Sequence, residues 1–252
     1  MSGDPALLLP RPDVVAEDGL IALNLGFGDD DLWGKDPAMV AQELSSAVRH
    51  LSVQGHRFVG ILMNRDDRRW SELALNGVAA DVVVPPDACA AARELSRCSV
   101  AIVSRLHAGI LAAVSGTPVV SLEYLPKCRD FALSIDDERS LIRTDRLSST
   151  SVVDGVGSAL TDASTIRART EAAVATLRRR LQASTPLFDI DWVSTANDAG
   201  HTYAWLGVAN NPQDVSFGRA RGRPVPRVPV PTAGSIRASC DPRRRSPGCC
   251  QR

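Results

Sequence analysis

The chain has 252 residues, of which 44% are hydrophobic, and its formal net charge is zero. That length can supply the core of one large domain or two small ones, and no stretch approaches the roughly 20 consecutive apolar residues that a bilayer crossing needs. A secretion signal has a basic region ahead of its apolar run. The first residues, MSGDPALLLPRPD, have no basic residue ahead of the leucines. We therefore expect a cytoplasmic protein, at most peripheral at the inner face of the membrane.

From Leu20 onwards, short apolar runs alternate with longer amphipathic ones. In chain order the pattern predicts a strand at 20–27, a helix at 37–55, a strand at 57–64, a helix at 66–77, a strand at 81–86, a helix at 87–98, a strand at 99–104, a helix at 105–116 and a strand at 117–124. Strands with no polar face are typical of a parallel sheet that is covered on both sides. The alternation predicts a Rossmann-like, doubly wound α/β domain over residues 19–185.

Two further elements follow the last of these strands. The run LIRT at 141–144 is a candidate edge strand, and 161–184 is predicted to be a long helix. Ile166, Ala173, Leu177 and Leu181 fall near one stripe of that helix, so it could lie back across the domain.

The C-terminal segment has a different composition. Residues 219–252 carry nine arginines against the single acid Asp241, with many prolines and no apolar period, so 186–252 is predicted to be irregular to disordered. No aromatic residue follows Phe217, which removes a platform for stacking single-stranded bases. We expect no nucleic-acid partner.

Ligands of an open parallel sheet bind beyond the carboxyl ends of its strands. The first such loop, NLGFGDDDLWGKDP at 24–37, offers Asn24, Gly26 and Lys35. Its spacing matches neither the P-loop nor the dinucleotide-binding fingerprint. A flexible turn between strand and helix is an equal alternative.

A polar triplet follows the predicted strand at 99–104. Ser104, Arg105 and His107 come at the start of a predicted helix, where backbone N–H groups and the helix dipole favour anions. An anionic ligand would favour a protonated His107, and Arg105 has the planar fork that suits carboxylate or phosphate. The alternative is that Ser104 caps the helix, Arg105 is solvated and His107 is a buried, hydrogen-bonded group.

The next loop is EYLPKC at 123–128. A turn ending at Lys127 would bring Glu123, Tyr124 and Lys127 to the same rim. The six cysteines of the chain have neither a CxxC spacing nor a histidine cluster, so the sequence predicts reduced thiols and no metal site.

Together these segments resemble a known family. The pattern SRLHAGILAAVSGTPVVSLEYLPK at 104–127 resembles the signature of the polysaccharide pyruvyl transferases, with Arg105, Leu106 and His107 as its central triplet. The segment NLGFGDDDLWG is similar to the opening of that family's C-terminal half, and GDPALLLP at 3–10 is similar to the stretch that joins its two halves. The resemblance covers residues 3–180 and implies that residues 1–18 are the remnant of an inter-domain linker.

The resemblance implies a two-domain GT-B architecture, of which this chain holds the donor half. It implies transfer of a pyruvyl group from phosphoenolpyruvate to a sugar or lipid-linked sugar of a cell-envelope or exported polysaccharide, without a further cofactor. His107 would be the general acid or phosphate ligand. The donor would be bound by residues of three segments: Asn24, Gly26, Ser104, Arg105, Leu106, Tyr124 and Lys127.

The resemblance also implies an acceptor-binding half that would precede residue 3. Two other interpretations therefore stand beside the transferase. The chain could be a GT-B glycosyltransferase that uses a nucleotide sugar. It could also be a non-catalytic remnant or a half-enzyme, which would associate with itself or with the missing half through its bare apolar surface.

Overall fold

The computed structural model describes residues 4–27 and 36–184, and the predicted tail at 186–252 and Lys35 lie outside these ranges. Six strands are described: β1 Glu17–Asn24, β2 Arg57–Ile61, β3 Ala80–Val83, β4 Cys98–Val103, β5 Val119–Glu123 and β6 Leu141–Arg143. The helices are α1 Pro37–Val53, α2 Arg68–Ala74, α3 Ala88–Ser96, α4 Leu106–Ser115, α5 Pro126–Ser134, α6 Ser149–Thr161 and α7 Ala163–Ser184. A short 3-10 helix, Pro5–Leu8, precedes β1.

The strands form one parallel sheet in the order β3-β2-β1-β4-β5-β6. At its centre Ala22 of β1 is in register with Val59 of β2 on one side and with Ala101 of β4 on the other. The chain thus builds outwards from β1 in one direction and from β4 in the other. This confirms the doubly wound Rossmann-like fold, with its topological switch point between β1 and β4.

Alternate strand residues feed the two faces of the sheet, as the period of a strand requires. Ile21 and Leu23 belong to the core under α1, α2 and α6, whereas Leu20 and Ala22 belong to the core under α3 and α4. Both faces are apolar and covered. This is the reason that the strands read as continuous hydrophobic runs.

Helix α4 is enclosed on its outer side as well. Ile110 and Val114 pack with Leu7 of the 3-10 helix and with Val174 and Leu181 of α7. The expectation that the last helix lies back across the domain is therefore confirmed. The packing also fixes the segment before β1 against α4.

Local signals placed most of the predicted helix starts correctly. Asp36 accepts a hydrogen bond from the backbone N–H of Ala38, with Pro37 in the first turn of α1. Asp87 accepts one from the N–H of Ala90 at the start of α3. Strand β6 is the edge strand predicted at 141–144.

Two helices were not predicted. Helix α5 begins at Pro126, so the turn predicted to end at Lys127 is wrong. Proline is favoured in a first helical turn, where its missing N–H costs no hydrogen bond. Helix α6 contains Gly155 and Gly157, which weaken the helical signal of its sequence.

None of the helices in the described ranges is both long enough and apolar enough to traverse a lipid bilayer.

Candidate functional site

The candidate site lies where β1 and β4 end, and buried Asn24 joins the backbones there. Its Nδ2 donates to the carbonyl of Ile61 at 2.9 Å, and its Oδ1 accepts from the N–H of Arg105 at 3.2 Å. Its own carbonyl accepts from the N–H of Ser104 at 3.0 Å. One side chain thus sets the relative positions of the ends of β1, β2 and β4.

Ser104 ties the β4 end to the β1 loop. Its hydroxyl donates to the carbonyl of Gly26 at 2.7 Å and accepts from the N–H of Gly26 at 2.9 Å. Ser104 therefore does not cap α4, whose N-cap residue is Arg105 without a side-chain cap. The capping interpretation of Ser104 is wrong, because its hydroxyl is already used across the sheet.

Arg105 is held by a carboxylate that the sequence analysis did not identify. Its Nε and Nη2 donate to Oδ1 of Asp67 at 3.0 Å and 2.6 Å. The Asp67 side chain is fully buried, whereas that of Arg105 is 21% exposed. The alternative of a solvated arginine is therefore wrong, because most of the side chain is buried and its guanidinium is paired with Asp67.

Asp67 is itself fixed by neighbouring donors. Its Oδ2 accepts from Nδ2 of Asn24 at 3.3 Å and from the N–H of Asn64 at 3.2 Å. Asn64 and Asp67 form a capping box directly after β2. That position at the carboxyl edge of the sheet is the signal that could have identified Asp67.

Gly26 is required by the contact of the loop with this ion pair. A Cβ atom at residue 26 would lie 1.9 Å from Oδ1 of Asp67 and 2.6 Å from Nε of Arg105. No side chain can be placed there without displacing the pair. The glycine therefore lets the backbone of the β1 loop approach the Asp67–Arg105 pair closely.

Tyr124 completes the cluster from the end of β5. It is buried and in edge contact with Phe27, with ring centroids 6.1 Å apart, and it lies close enough to Arg105 for each group to influence the pKa of the other. Burial raises the pKa of Tyr124, so its hydroxyl is neutral at physiological pH. Burial lowers the pKa of Arg105, but the hydrogen bonds to Asp67 and the charge of that carboxylate outweigh burial and raise the pKa above its usual value.

His107 is in contact with a different carboxylate. Its Nε2 lies 3.2 Å from Oδ2 of Asp4, and its side chain is 39% exposed. The alternative of a buried histidine is therefore wrong. His107 belongs to the first turn of α4, where the N–H groups lack intrahelical acceptors and the helix dipole is positive.

The remaining predicted site residues differ in their burial and in their partners. Leu106 is half-buried against the apolar cluster outside α4. Lys127 is half-buried in the first turn of α5, and within the described ranges it has no ion pair. The buried carboxylate of Glu123 accepts a hydrogen bond from Nη2 of Arg129 at 2.7 Å, and its place on one rim with Lys127 stays a prediction.

The cysteines of the described residues form no disulfide. Cys89, Cys98 and Cys128 are free thiols, and burial raises the pKa of Cys98 to about 12. Across 4–27 and 36–184, no three side chains of His, Cys, Asp or Glu are grouped so that they could hold a metal ion.

Solved structures with a similar fold include two glycosyltransferases. The glycotransferase of kitacinnamycin has 15% identity and a TM-score of 0.44, and the match covers 71% of this chain and 44% of that one. The calicheamicin glycosyltransferase has 16% identity and a TM-score of 0.37, with 70% and 40% covered. The chain thus spans less than half the length of either structure. A search of curated proteins finds no match.

The comparison with family profiles is more direct. The polysaccharide pyruvyl transferase profile matches residues 1–126. This range includes Asp4, the Asn24 loop, Asp67 and the Arg105–His107 triplet, and it ends one residue before Lys127. Because the match covers half of the 252 residues, the chain belongs to the polysaccharide pyruvyl transferase family.

Proposed function

We propose that this chain binds phosphoenolpyruvate where β1 and β4 end, and that it transfers the pyruvyl group to a sugar of a cell-envelope or exported polysaccharide in the cytoplasm. The observation that carries the proposal is the pair Arg105 and His107 at the start of α4, next to the switch point of the sheet. In a member of this family, that is the expected position of an anionic donor.

The charges of the site suit a small, dense anion. Phosphoenolpyruvate carries a phosphate and a carboxylate, and Arg105 has a raised pKa and remains a cation at any physiological pH. Asp67 holds its guanidinium through Nε and Nη2, so the arginine is oriented before the ligand arrives. Preorganised charge of this kind stabilises a developing anion without the cost of reorganisation.

The proposed reaction is balanced without a cofactor. Two sugar hydroxyl oxygens form bonds to C2 of the donor, and the bond from C2 to the phosphate oxygen breaks. One hydroxyl proton ends on C3, which becomes a methyl group, and the other leaves with inorganic phosphate. In this scheme His107 is the general acid or phosphate ligand, while Arg105 and Lys127 neutralise donor charge.

The first experiment measures donor binding and transfer separately. We expect calorimetry to show phosphoenolpyruvate binding to the full chain, and His107→Ala to abolish transfer while the circular dichroism spectrum is unchanged. His56→Ala is the matched control, because His56 directly precedes β2 at the opposite edge of the sheet. Its transfer rate should equal that of the wild type.

The outcomes separate the competing functions. Unchanged turnover in folded His107→Ala would overturn the role of His107. Binding of phosphoenolpyruvate without transfer to any acceptor would identify a remnant or a half-enzyme that needs a partner. Binding of a nucleotide sugar in place of phosphoenolpyruvate would indicate a glycosyltransferase.

A further inference from the structure

We propose that Asp4 is a positioning residue for His107: it makes Nε2 the N–H nitrogen of the ring and leaves Nδ1 to act on the donor. This inference rests on the proposed function of the same site. It adds a residue from the segment before β1 to a site otherwise built from the strand ends.

The two oxygens of Asp4 have separate partners. Oδ1 accepts a hydrogen bond from the N–H of Ala6 at 2.9 Å and so caps the 3-10 helix Pro5–Leu8. Oδ2 lies 3.2 Å from Nε2 of His107. The cap therefore sets the orientation of the carboxylate, and the carboxylate in turn faces one nitrogen of the ring.

The segment that carries Asp4 is firmly held against the helix that carries His107. Leu7 is 2% exposed and packs with Ile110 of α4. The guanidinium of Arg178 in α7 donates to the carbonyls of both Leu7 and Leu9. Because both helices hold this segment, the distance from Asp4 to His107 is set by the packed core.

Asp4 is a carboxylate at neutral pH. Burial alone would raise its pKa, but hydrogen bonds from His107 and the N–H of Ala6, with the charge of His107, outweigh that effect and lower the pKa. An ionised carboxylate only accepts hydrogen bonds. Its partner nitrogen, Nε2, must therefore carry the proton, and Nδ1 of the neutral ring has the lone pair. When the ring is protonated, Nδ1–H is the donor left for the substrate.

The variant Asp4→Asn tests this arrangement because an amide has one acceptor and one donor. Its oxygen must stay at the cap, since the N–H of Ala6 needs an acceptor. Its NH₂ group then faces the ring, so Nε2 becomes the acceptor and the proton of neutral His107 moves to Nδ1. We expect ¹⁵N NMR of the imidazole rings of the full chain to show this exchange of tautomers, with His107→Gln assigning the signals.

The kinetic expectation follows from the tautomer. The kcat of Asp4→Asn should fall by about 10- to 100-fold, as for other residues that orient a working imidazole, while KM for phosphoenolpyruvate changes by less than about 3-fold. Asp4→Ser keeps a capping oxygen without imposing a donor on the ring. It should lose less activity than Asp4→Asn, which a purely capping role does not predict.

Asp87→Asn is the matched control. Asp87 caps α3 through the N–H of Ala90 at 2.7 Å, as Asp4 caps its helix through Ala6. The variant Asp87→Asn should change neither the NMR signals of His107 nor kcat.

Three results would overturn the inference. These are an unchanged His107 tautomer in Asp4→Asn, an exchanged tautomer with unchanged kcat, and equal kcat losses in Asp4→Ser and Asp4→Asn. If the wild-type chain has no transferase activity, the proposed function fails instead, and the tautomer measurement alone decides whether Asp4 holds the ring.

Discussion

The carboxylate of Asp67 is fully buried, and a small number of partners compensate its charge. Its carboxylate is neutralised by Arg105, which is itself only 21% exposed, and it accepts from Asn24 and Asn64. Glu123 is a useful contrast, because it is equally buried but its partner Arg129 is 46% exposed. Removing the carboxylate should therefore have different consequences at the two sites.

Asp67→Asn should lower the free energy of unfolding by about 3 kcal/mol, because it leaves a largely buried guanidinium without its counter-charge. Glu123→Gln should cost about 1 kcal/mol, since water can solvate the exposed Arg129. Urea denaturation of both variants measures the difference. Equal losses would contradict the view that the Asp67–Arg105 pair is the more tightly coupled.

The residues of the site also show where sequence reasoning succeeds. Arg105 and His107 were identified because their place after an apolar strand predicts a helix start, and the helix does begin there. Asp4 and Asp67 were missed as partners, although both are visible in the sequence. Their roles depend on contacts across 103 and 38 residues of chain, which no local pattern reports.

At the scale of elements, α4 and α6 use glycine in opposite ways. Helix α4 ends at Gly116 with φ of +74°, and a Cβ there would lie 2.8 Å from Nη2 of Arg11. Gly157 lies inside α6, is exposed, and has open space where a Cβ would be. The first glycine is required by the backbone conformation, whereas the second only weakens its helix.

Gly116→Ala should therefore destabilise the protein by about 1–2 kcal/mol, the cost of a left-handed conformation for a residue with a side chain. Gly157→Ala should stabilise it by about 0.5–1 kcal/mol, because alanine loses less backbone freedom on folding. Thermal denaturation of the two variants checks both signs. A stabilising Gly116→Ala would show that the helix end can relax.

Sequence reasoning about elements failed where two signals conflicted. In α6 the apolar residues have helical spacing, but Gly155 and Gly157 interrupt it. The packing does not require Gly155, because a Cβ there would be 3.5 Å from side chains of Val120 and Ile142, an ordinary van der Waals distance. The helix forms in spite of its glycines because Val152, Val156 and Ala159 are buried in the core, and only the packed structure shows that burial.

At the scale of the whole domain, the sheet order brings distant segments together. β1 and β4 are neighbours although β2 and β3 lie between them in the chain. The Asn24 loop, the Asp67 turn and the start of α4 therefore meet at the carboxyl edge. A groove lined by His56 and Asp162, among others, lies between α1 and α6, and His56 directly precedes β2 at the amino edge.

Hydrogen exchange measured by mass spectrometry shows at which edge of the sheet the donor binds. Phosphoenolpyruvate should slow amide exchange in segments 24–27 and 104–108, because a bound anion restrains the loop and the first turn of α4. Exchange in 153–162, which lines the groove, should not change. Protection confined to the groove would place the ligand at the wrong edge of the sheet for the proposed reaction.

The sequence by itself determined the class of fold, because unbroken apolar strands alternating with amphipathic helices satisfy their hydrogen bonds and bury their side chains only in a covered parallel sheet. It also determined the helix start that carries Arg105 and His107, since local capping and periodicity set helix ends. Only the tertiary structure decided that Asp67 holds Arg105 and that Asp4 faces His107. The order of the strands in the sheet decides which residues lie close enough to pair with a buried charge. No local stretch of the chain contains that information.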